Sequence, residues 1–218
     1  MFNPAKGPRP ANDVAPPAPG DHARDEMKLV ARAARAGDER AVRTLLSGLG
    51  PAMLRVIRKI LGGTDRDEHD VLQDAMFGLM KGLGGFREEC SVMHFACRVA
   101  VMTALAARRQ RRARGWVAEA QEPGDVVERV PSRAPDPAAE AEAAARRAVL
   151  WRLLDALPVA QAEALALHCV EGFTVEEVAA ACGCPTETVK SRLRTSKAAL
   201  RGTIATDLVA RDLLMRGP

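Results

Sequence analysis

Apolar residues recur at helical spacing through the first half of the chain. The first amphipathic stretch covers residues 27–36 and stops at Gly37-Asp38, where a glycine suited to ending one helix precedes an aspartate suited to capping the next. Further apolar faces, spaced at three and four residues, follow over residues 41–49, 53–61, 67–83 and 91–112. The first half is therefore predicted to be a set of packed helices.

The second half continues the helical pattern in shorter elements. Residues 143–156 and 158–170 predict two helices. Thr174 and Glu177 then have capping-box spacing, so that the threonine side chain can accept from the first turn while the glutamate reaches back. The helix that they start is predicted to end near Gly183.

The last helical pattern is longer and opens at Pro185. Its apolar face consists of Val189, Leu193, Ser196 and Leu200. Its opposite, polar face carries Glu187, Thr188, Lys190, Ser191, Arg192, Arg194, Thr195 and Lys197. A short helix, a glycine-containing corner and a longer basic helix form the helix-turn-helix pattern, whose second helix enters the major groove of DNA. The alternative is a charged surface helix that is only solvated.

Segments rich in Pro, Gly and acidic residues divide the chain into domains. We expect a disordered N-terminal tail over residues 1–24 and a helical domain over 25–115. A flexible acidic linker over 116–142 then leads to the helix-turn-helix domain over 143–204, and residues 205–218 form a C-terminal tail. The predicted fold class is all-α, with two small helical domains joined by the linker.

Composition agrees with this fold and adds little to the function. Hydrophobic residues make up 47% of the chain but aromatic residues only 3%, with no Tyr, a balance that favours helices over strands. The net charge of +4 permits a nucleic-acid partner without requiring one. The five cysteines are scattered through apolar helical patterns, and no apolar run has the length of a signal peptide or a membrane span. We expect a cytoplasmic protein with reduced thiols and no direct membrane insertion.

The sequence offers no catalytic or metal-binding constellation. Cys182 and Cys184 flank a glycine, but a Cys-x-Cys pair without a second ligand pair is better explained by packing. The four histidines lack ligand spacing, and there is no nucleophile–base pair or phosphate-binding loop. We therefore expect no enzymatic activity, no cofactor and no metal.

Three segments of the second half resemble the C-terminal domain of bacterial RNA polymerase sigma factors. They are Leu157-Pro158, the sequence EGFTVEEVA at 171–179 and the sequence PTETVKSRL at 185–193. The two-domain, extracytoplasmic-function group is the most similar.

The first half carries a second resemblance to the same family. The sequence DVLQD at 70–74, with GLMK at 78–81, is similar to the segment by which sigma factors grip polymerase. Residues 88–100, preceded by Phe86-Arg87, resemble the segment that opens promoter DNA. Two motifs in the family's order, on either side of a linker, are more specific than one helix-turn-helix.

The resemblance implies sites for polymerase and for DNA. The residues expected to contact the coiled coil of the polymerase β′ subunit are Asp70, Gln73, Asp74 and Met80. The residues expected to read the minus-thirty-five element are Lys190, Ser191 and Arg194. The residues expected to hold backbone phosphates beside them are Thr188, Arg192 and Lys197.

The minus-ten region departs from the family's pattern. Phe95 stands where a Trp is usual, while Met102 and Ala106 occupy positions where polar readers are common. Phe95 could stack on an unpaired base, although its spacing also suits a core position. A run of arginines at the end of the same helix suits phosphate contact, with a solvated helix end as the alternative. The arginines expected in this role are Arg108, Arg109 and Arg112.

The resemblance thus implies a sigma factor that binds core RNA polymerase, directs promoter-specific initiation and is controlled by an anti-sigma protein. Two alternatives stay open at this point. One is an autonomous helix-turn-helix regulator that binds an operator without polymerase. The other is a degenerate sigma-like protein that acts mainly through protein contacts.

Overall fold

A computed structural model of the protein describes residues 21–62, 68–113 and 137–207. All regular secondary structure in these three ranges is helical, as predicted. The helices in chain order are α1 (Asp21–Arg35), α2 (Glu39–Leu61), α3 (Glu68–Leu83), α4 (Val92–Ala113), α5 (Pro137–Asp155), α6 (Val159–Leu165), a π-helical turn (Ala166–Val170), α7 (Val175–Cys182) and α8 (Thr186–Thr206).

Three helices reach into ranges that the sequence analysis left to the tails and the linker. α1 begins at Asp21, α5 begins at Pro137 and α8 continues to Thr206. Proline is tolerated in a first helical turn, and the Ala-Glu-Ala sequence after Pro137 has high helix propensity. The rest of the predicted tails and linker, residues 1–20, 114–136 and 208–218, lies outside the described residues.

The two apolar faces over residues 41–61 belong to one continuous helix, α2. Asp38 caps its start by accepting from the backbone N–H of Arg40 at 2.8 Å and of Ala41 at 3.2 Å. Pro51 lies inside the helix at an exposed position, and the carbonyl of Ser47 that loses its N–H partner also belongs to an exposed residue. The largest side chains that α2 buries are Leu45, Leu49, Met53, Val56, Ile57 and Ile60.

The single helix predicted over residues 158–170 is α-helical only as far as Leu165. Over the next five residues it widens into a π-helical turn, in which the N–H of Glu171 donates to the carbonyl of Ala166 at 3.1 Å. His168 Nδ1 lies 2.7 Å from the carbonyl oxygen of Phe173, which ties the turn to the loop before α7. Apolar periodicity alone does not distinguish these two helical forms.

The helix-turn-helix consists of α7, a corner at Gly183 and α8. Thr174 Oγ1 accepts from Glu177 N at 3.1 Å, and Glu177 Oε2 accepts from Thr174 N at 2.9 Å, so the predicted capping box is present. Gly183 ends α7 at φ +63°, a left-handed conformation that glycine adopts without a Cβ penalty. Local signals therefore fix both ends of α7.

α4 lies between the two halves of the structure. It packs against α2 and α3 on one side and against α6, the π-helical turn and α7 on the other. Most of the buried side chains of both halves form one continuous core, and Val149 and Leu153 form a second, smaller cluster. Within the described residues, no helix combines the length and the apolar character needed to cross a bilayer.

The capping box makes a stability prediction. Replacing Thr174 by Ala leaves a first-turn N–H of α7 without its acceptor, so we expect the free energy of unfolding in urea to fall by ~1 kcal/mol. Thr203→Ala is the matched control, because its hydroxyl bonds only to the Ala199 carbonyl on the exposed side of α8. We expect the control to change stability by less than about 0.5 kcal/mol. Equal losses in the two variants would contradict the assignment of the cap.

Candidate polymerase and DNA interfaces

The outer face of α3 carries the predicted polymerase contacts. Asp70, Gln73 and Asp74 are all exposed, and their spacing of three and four residues places them side by side. Met80 is half-buried and packs against the core. The opposite side of α3 is anchored by Val71, Ala75, Leu79 and Leu83. The helix is thus held firmly while its polar row faces outward.

Phe77, one of the apolar residues of the helix predicted over residues 67–83, adds an apolar group to this face. Its side chain is 67% exposed, the largest fraction among the exposed large hydrophobic residues of the described ranges. The sequence held a signal for this position, because Phe77 falls about 160° around the helix from both Ala75 and Leu79. An exposed aromatic ring beside a polar row is typical of a protein-binding surface.

The outer face of α8 has the arrangement predicted for a recognition helix. The residues exposed on it are Lys190, Ser191, Arg194 and Lys197, whereas Thr188 and Arg192 are half-buried. Val189, Leu193 and Ser196 are buried on the inner face. Ser196 Oγ donates to the Arg192 carbonyl at 2.6 Å, so this buried hydroxyl is satisfied.

Two contacts hold cationic side chains of α8 in place. Lys190 Nζ donates to Glu187 Oε1 at 2.6 Å, and this carboxylate raises the pKa of Lys190. Arg192 Nη1 lies 3.8 Å from the Sγ of Cys184 in the corner. Arg192 is therefore directed toward the turn, while Arg194 and Lys197 project from the helix surface.

Phe95 is half-buried beside the loop between α3 and α4. Its ring centroid lies 4.9 Å from that of Phe86, and its Cζ lies 2.9 Å from the point that a Cβ on Gly82 would occupy. A side chain at position 82 would displace the ring, so glycine is needed for this close approach. Met102 is half-buried and Ala106 is exposed farther along α4.

The arginines at the end of α4 occupy different environments. Arg112 is exposed, as a solvent-facing phosphate contact requires. Arg108 forms a two-pronged ion pair with Asp155, with nitrogen–oxygen distances of 3.1 and 3.3 Å, and also donates to the Ile60 carbonyl at 3.3 Å. Arg109 donates to the Leu157 carbonyl at 3.2 Å. Arg108 and Arg109 thus bind the second half of the chain, which the sequence analysis did not anticipate.

The described residues contain no group of three or more His, Cys, Asp or Glu side chains placed to hold a metal ion. Cys182 packs against the core, and burial raises the pKa of its thiol to about 12. Its neighbour in the corner, Cys184, also packs against the core. These contacts agree with the packing role expected for the pair.

Comparisons with known proteins agree with both halves of this architecture. The family model "Sigma-70, region 4" matches residues 147–200, which contain the helix-turn-helix. The ECF RNA polymerase sigma factor SigM from two strains of Mycobacterium tuberculosis is 32% identical over 182 residues, covering 83% of this chain and 85% of the relative. Among solved structures, CnrH in complex with the cytosolic domain of CnrY matches with a TM-score of 0.51 and 22% identity, over 84% of this chain and 99% of that chain.

The SigM relatives span both halves of the chain, so the similarity includes α3 and α4 as well as the helix-turn-helix. The likeness to CnrH shows a shared fold. The family predicted from the sequence is confirmed. Because members of this family act with RNA polymerase, the alternative of an autonomous operator-binding regulator is set aside. The chain belongs to the extracytoplasmic-function family of bacterial RNA polymerase sigma factors and directs transcription initiation with RNA polymerase.

Proposed function

We propose that this sigma factor holds the transcription complex at two separate surfaces. The outer face of α3 binds the coiled coil of the β′ subunit of core polymerase, and the outer face of α8 reads the minus-thirty-five element. The supporting observation is that both faces are exposed while the opposite sides of the same helices are buried. Residues 25–115 and 143–204 are the units that we assign to these two roles.

The polymerase contact combines charge with apolar burial. Asp70, Gln73 and Asp74 offer hydrogen-bond acceptors to a basic partner helix, which favours orientation and selectivity. Phe77 supplies the apolar centre of the same face, and full burial of such a ring contributes ~1.5–3 kcal/mol. Met80 extends this apolar surface from its half-buried position.

The DNA contacts divide into base reading and phosphate binding. Lys190, Ser191 and Arg194 are assigned to base edges, where each well-formed contact contributes ~1–3 kcal/mol of discrimination. The residues assigned to the adjacent phosphates are Thr188, Arg192 and Lys197. This assignment follows the family pattern; Lys197 projects outward, whereas Arg192 must turn away from Cys184 to reach a phosphate.

The minus-ten contacts are proposed for α4 and the loop before it. Phe95 stacks on an unpaired base, for ~1–3 kcal/mol, through the part of its ring that is not packed on Phe86. Arg108, Arg109 and Arg112 bind phosphates rather than bases, because a cluster of arginines at a helix end suits salt-dependent contact with the DNA backbone.

Location and regulation follow from this role. A protein that binds core polymerase and promoter DNA acts in the cytoplasm, and the proposal requires no catalytic step from this chain. We include control by an anti-sigma protein, which the family resemblance implies. This part of the proposal is supported by CnrH, a protein of similar fold that is found in complex with the cytosolic domain of CnrY.

The function is tested by in vitro transcription with purified core polymerase and a library of promoter fragments. We expect promoter-specific transcripts only when core polymerase and this protein are both present. The reason is that the protein binds the promoter through one proposed surface and core polymerase through another. A tight shift of one DNA site by the protein alone, with no transcript from the complete mixture, would instead identify an autonomous regulator.

The α3 surface is tested by a pulldown with core polymerase. Replacing Gln73 and Asp74 together by Ala removes two acceptors from the exposed row, so we expect binding to weaken about tenfold. The control replaces Glu39 and Gln110 by Ala, which also removes one carboxylate and one amide, here from exposed positions of α2 and α4. Undiminished binding of the first variant would remove α3 from the proposed interface.

The α8 surface is tested by a pair of substitutions on neighbouring exposed positions. Arg194→Ala should change sequence preference in a promoter-library assay, because it removes a base contact. Lys197→Ala should weaken binding to all sequences and lower the slope of log affinity against log salt concentration by about one. If Arg194→Ala lowers binding uniformly across the library, its side chain does not read bases.

A further inference from the structure

Opposite charges face each other where α4 meets the second half of the chain. In three ion pairs the cation comes from α2 or α4 and the carboxylate comes from the second half. These pairs are Lys59–Glu171 at 3.7 Å, Arg98–Glu163 at 2.7 Å and Arg108–Asp155 at 3.1 Å. Each of the three carboxylates is more than nine-tenths buried, whereas the side chains of the cations are 21% to 35% exposed. We call this set of contacts the seam.

Apart from Lys59, which belongs to α2, the cations of the seam lie on one face of α4. His94, Arg98, Arg108 and Arg109 fall within about 100° of the helix circumference and extend over about 22 Å of its length. His94 Nε2 lies 3.7 Å from Glu177 Oε1, and the His94 ring packs against Phe173 at a tilt of 42°, with centroids 4.4 Å apart. The helix-turn-helix domain therefore contacts this face of α4 from His94 to Arg109.

Carboxylate and phosphate groups are interchangeable partners for this face. A guanidinium group binds either anion through two parallel N–H···O bonds, as Arg108 does with Asp155. Two anions cannot occupy the same fork at once. Buried ion pairs also gain little net stability, since desolvation offsets most of the attraction. The seam is therefore suited to fixing a docking geometry that a stronger anion can displace.

We propose that this face of α4 has two mutually exclusive occupants: the carboxylates of the chain's own helix-turn-helix domain in the resting protein, and nucleic-acid phosphates in the promoter complex. The inference rests on the proposed function, which assigns Arg108 and Arg109 to DNA phosphates. The helix-turn-helix domain must leave α4 before these two arginines bind DNA. The apparent affinity for DNA at this surface is therefore reduced by the fraction of molecules in which the seam is open.

The first test neutralises two seam carboxylates in the full chain, with Asp155→Asn and Glu163→Gln. The control variant, Glu26→Gln with Glu39→Gln, removes the same charge from exposed positions. Small-angle X-ray scattering measures domain separation, and fluorescence anisotropy measures binding to a short random-sequence duplex without polymerase. We expect the seam variant to expand and to bind the duplex about five- to tenfold more tightly than the control variant. Equal affinities of the two variants, or unchanged scattering from the seam variant, would overturn the proposal.

A charge reversal provides a second test that does not depend on neutral replacements. Glu163→Arg places two cations together at Arg98, so we expect an expanded scattering profile. Combining it with Arg98→Glu restores opposite charges and the original net charge, and we expect the compact profile and the weaker duplex binding to return. A compact Glu163→Arg variant would overturn the proposal.

Whether carboxylates and phosphates exclude each other at Arg108 is tested by introducing Arg108→Gln into the wild type and into the Asp155→Asn, Glu163→Gln variant, and measuring the duplex affinity of each. The loss of duplex affinity should be larger in the variant, because Arg108 is released there, and equal losses would count against exclusive occupancy. Core-dependent transcription is measured in parallel. If the protein supports transcription but the seam variant shows no change in scattering or duplex affinity, this inference alone is rejected. If the seam variant binds the duplex more tightly but no transcripts appear, the proposed function alone is rejected.

Discussion

The structure depends on α4, which packs against the helices of the first half and of the second half at the same time. On one side, Ala96, Ala100 and Ala104 are fully buried, and their small side chains let the helices of the first half approach closely. On the opposite side, Arg98 and Arg108 engage carboxylates of the second half. Apolar packing therefore fixes α4 in the first half, while its contact with the second half combines the shared apolar core with ion pairs whose carboxylates another anion can replace.

The elements of the fold were largely predictable because their signals are local. The capping box of Thr174 and Glu177, the corner at Gly183 and the outward polar row of α8 each follow from spacing within one helix. The continuity of α2 through Pro51 and the π-helical turn did not follow. The apolar spacing around Pro51 is the same whether the helix continues or ends there, and the spacing over residues 158–170 is the same for an α-helix and a π-helical turn. Tertiary packing decides among these outcomes.

For the candidate sites, too, the sequence predicted which residues share a helix face but not which residues of other helices they contact. Helical geometry placed Asp70, Gln73 and Asp74 on one face, but the exposure of Phe77 became clear only when the buried row of α3 was known. The pairing of Arg98 with Glu163 joins residues 65 positions apart. No local pattern links such residues, because periodicity states which face of a helix is polar and not which helix lies against it.

The cationic end of α4 shows how one chemical pattern can have two structural meanings. A cluster of arginines predicts an anionic partner, and the structure supplies one in Asp155. The exposed faces of α3 and α8 require no such exchange, so both are available while the seam is closed. Under the two proposals, first contact with polymerase and release of Arg108 are therefore governed by separate surfaces. They require that a substitution at the seam alters DNA affinity while leaving the proposed α3 contact unchanged, whereas a substitution on α3 does the reverse.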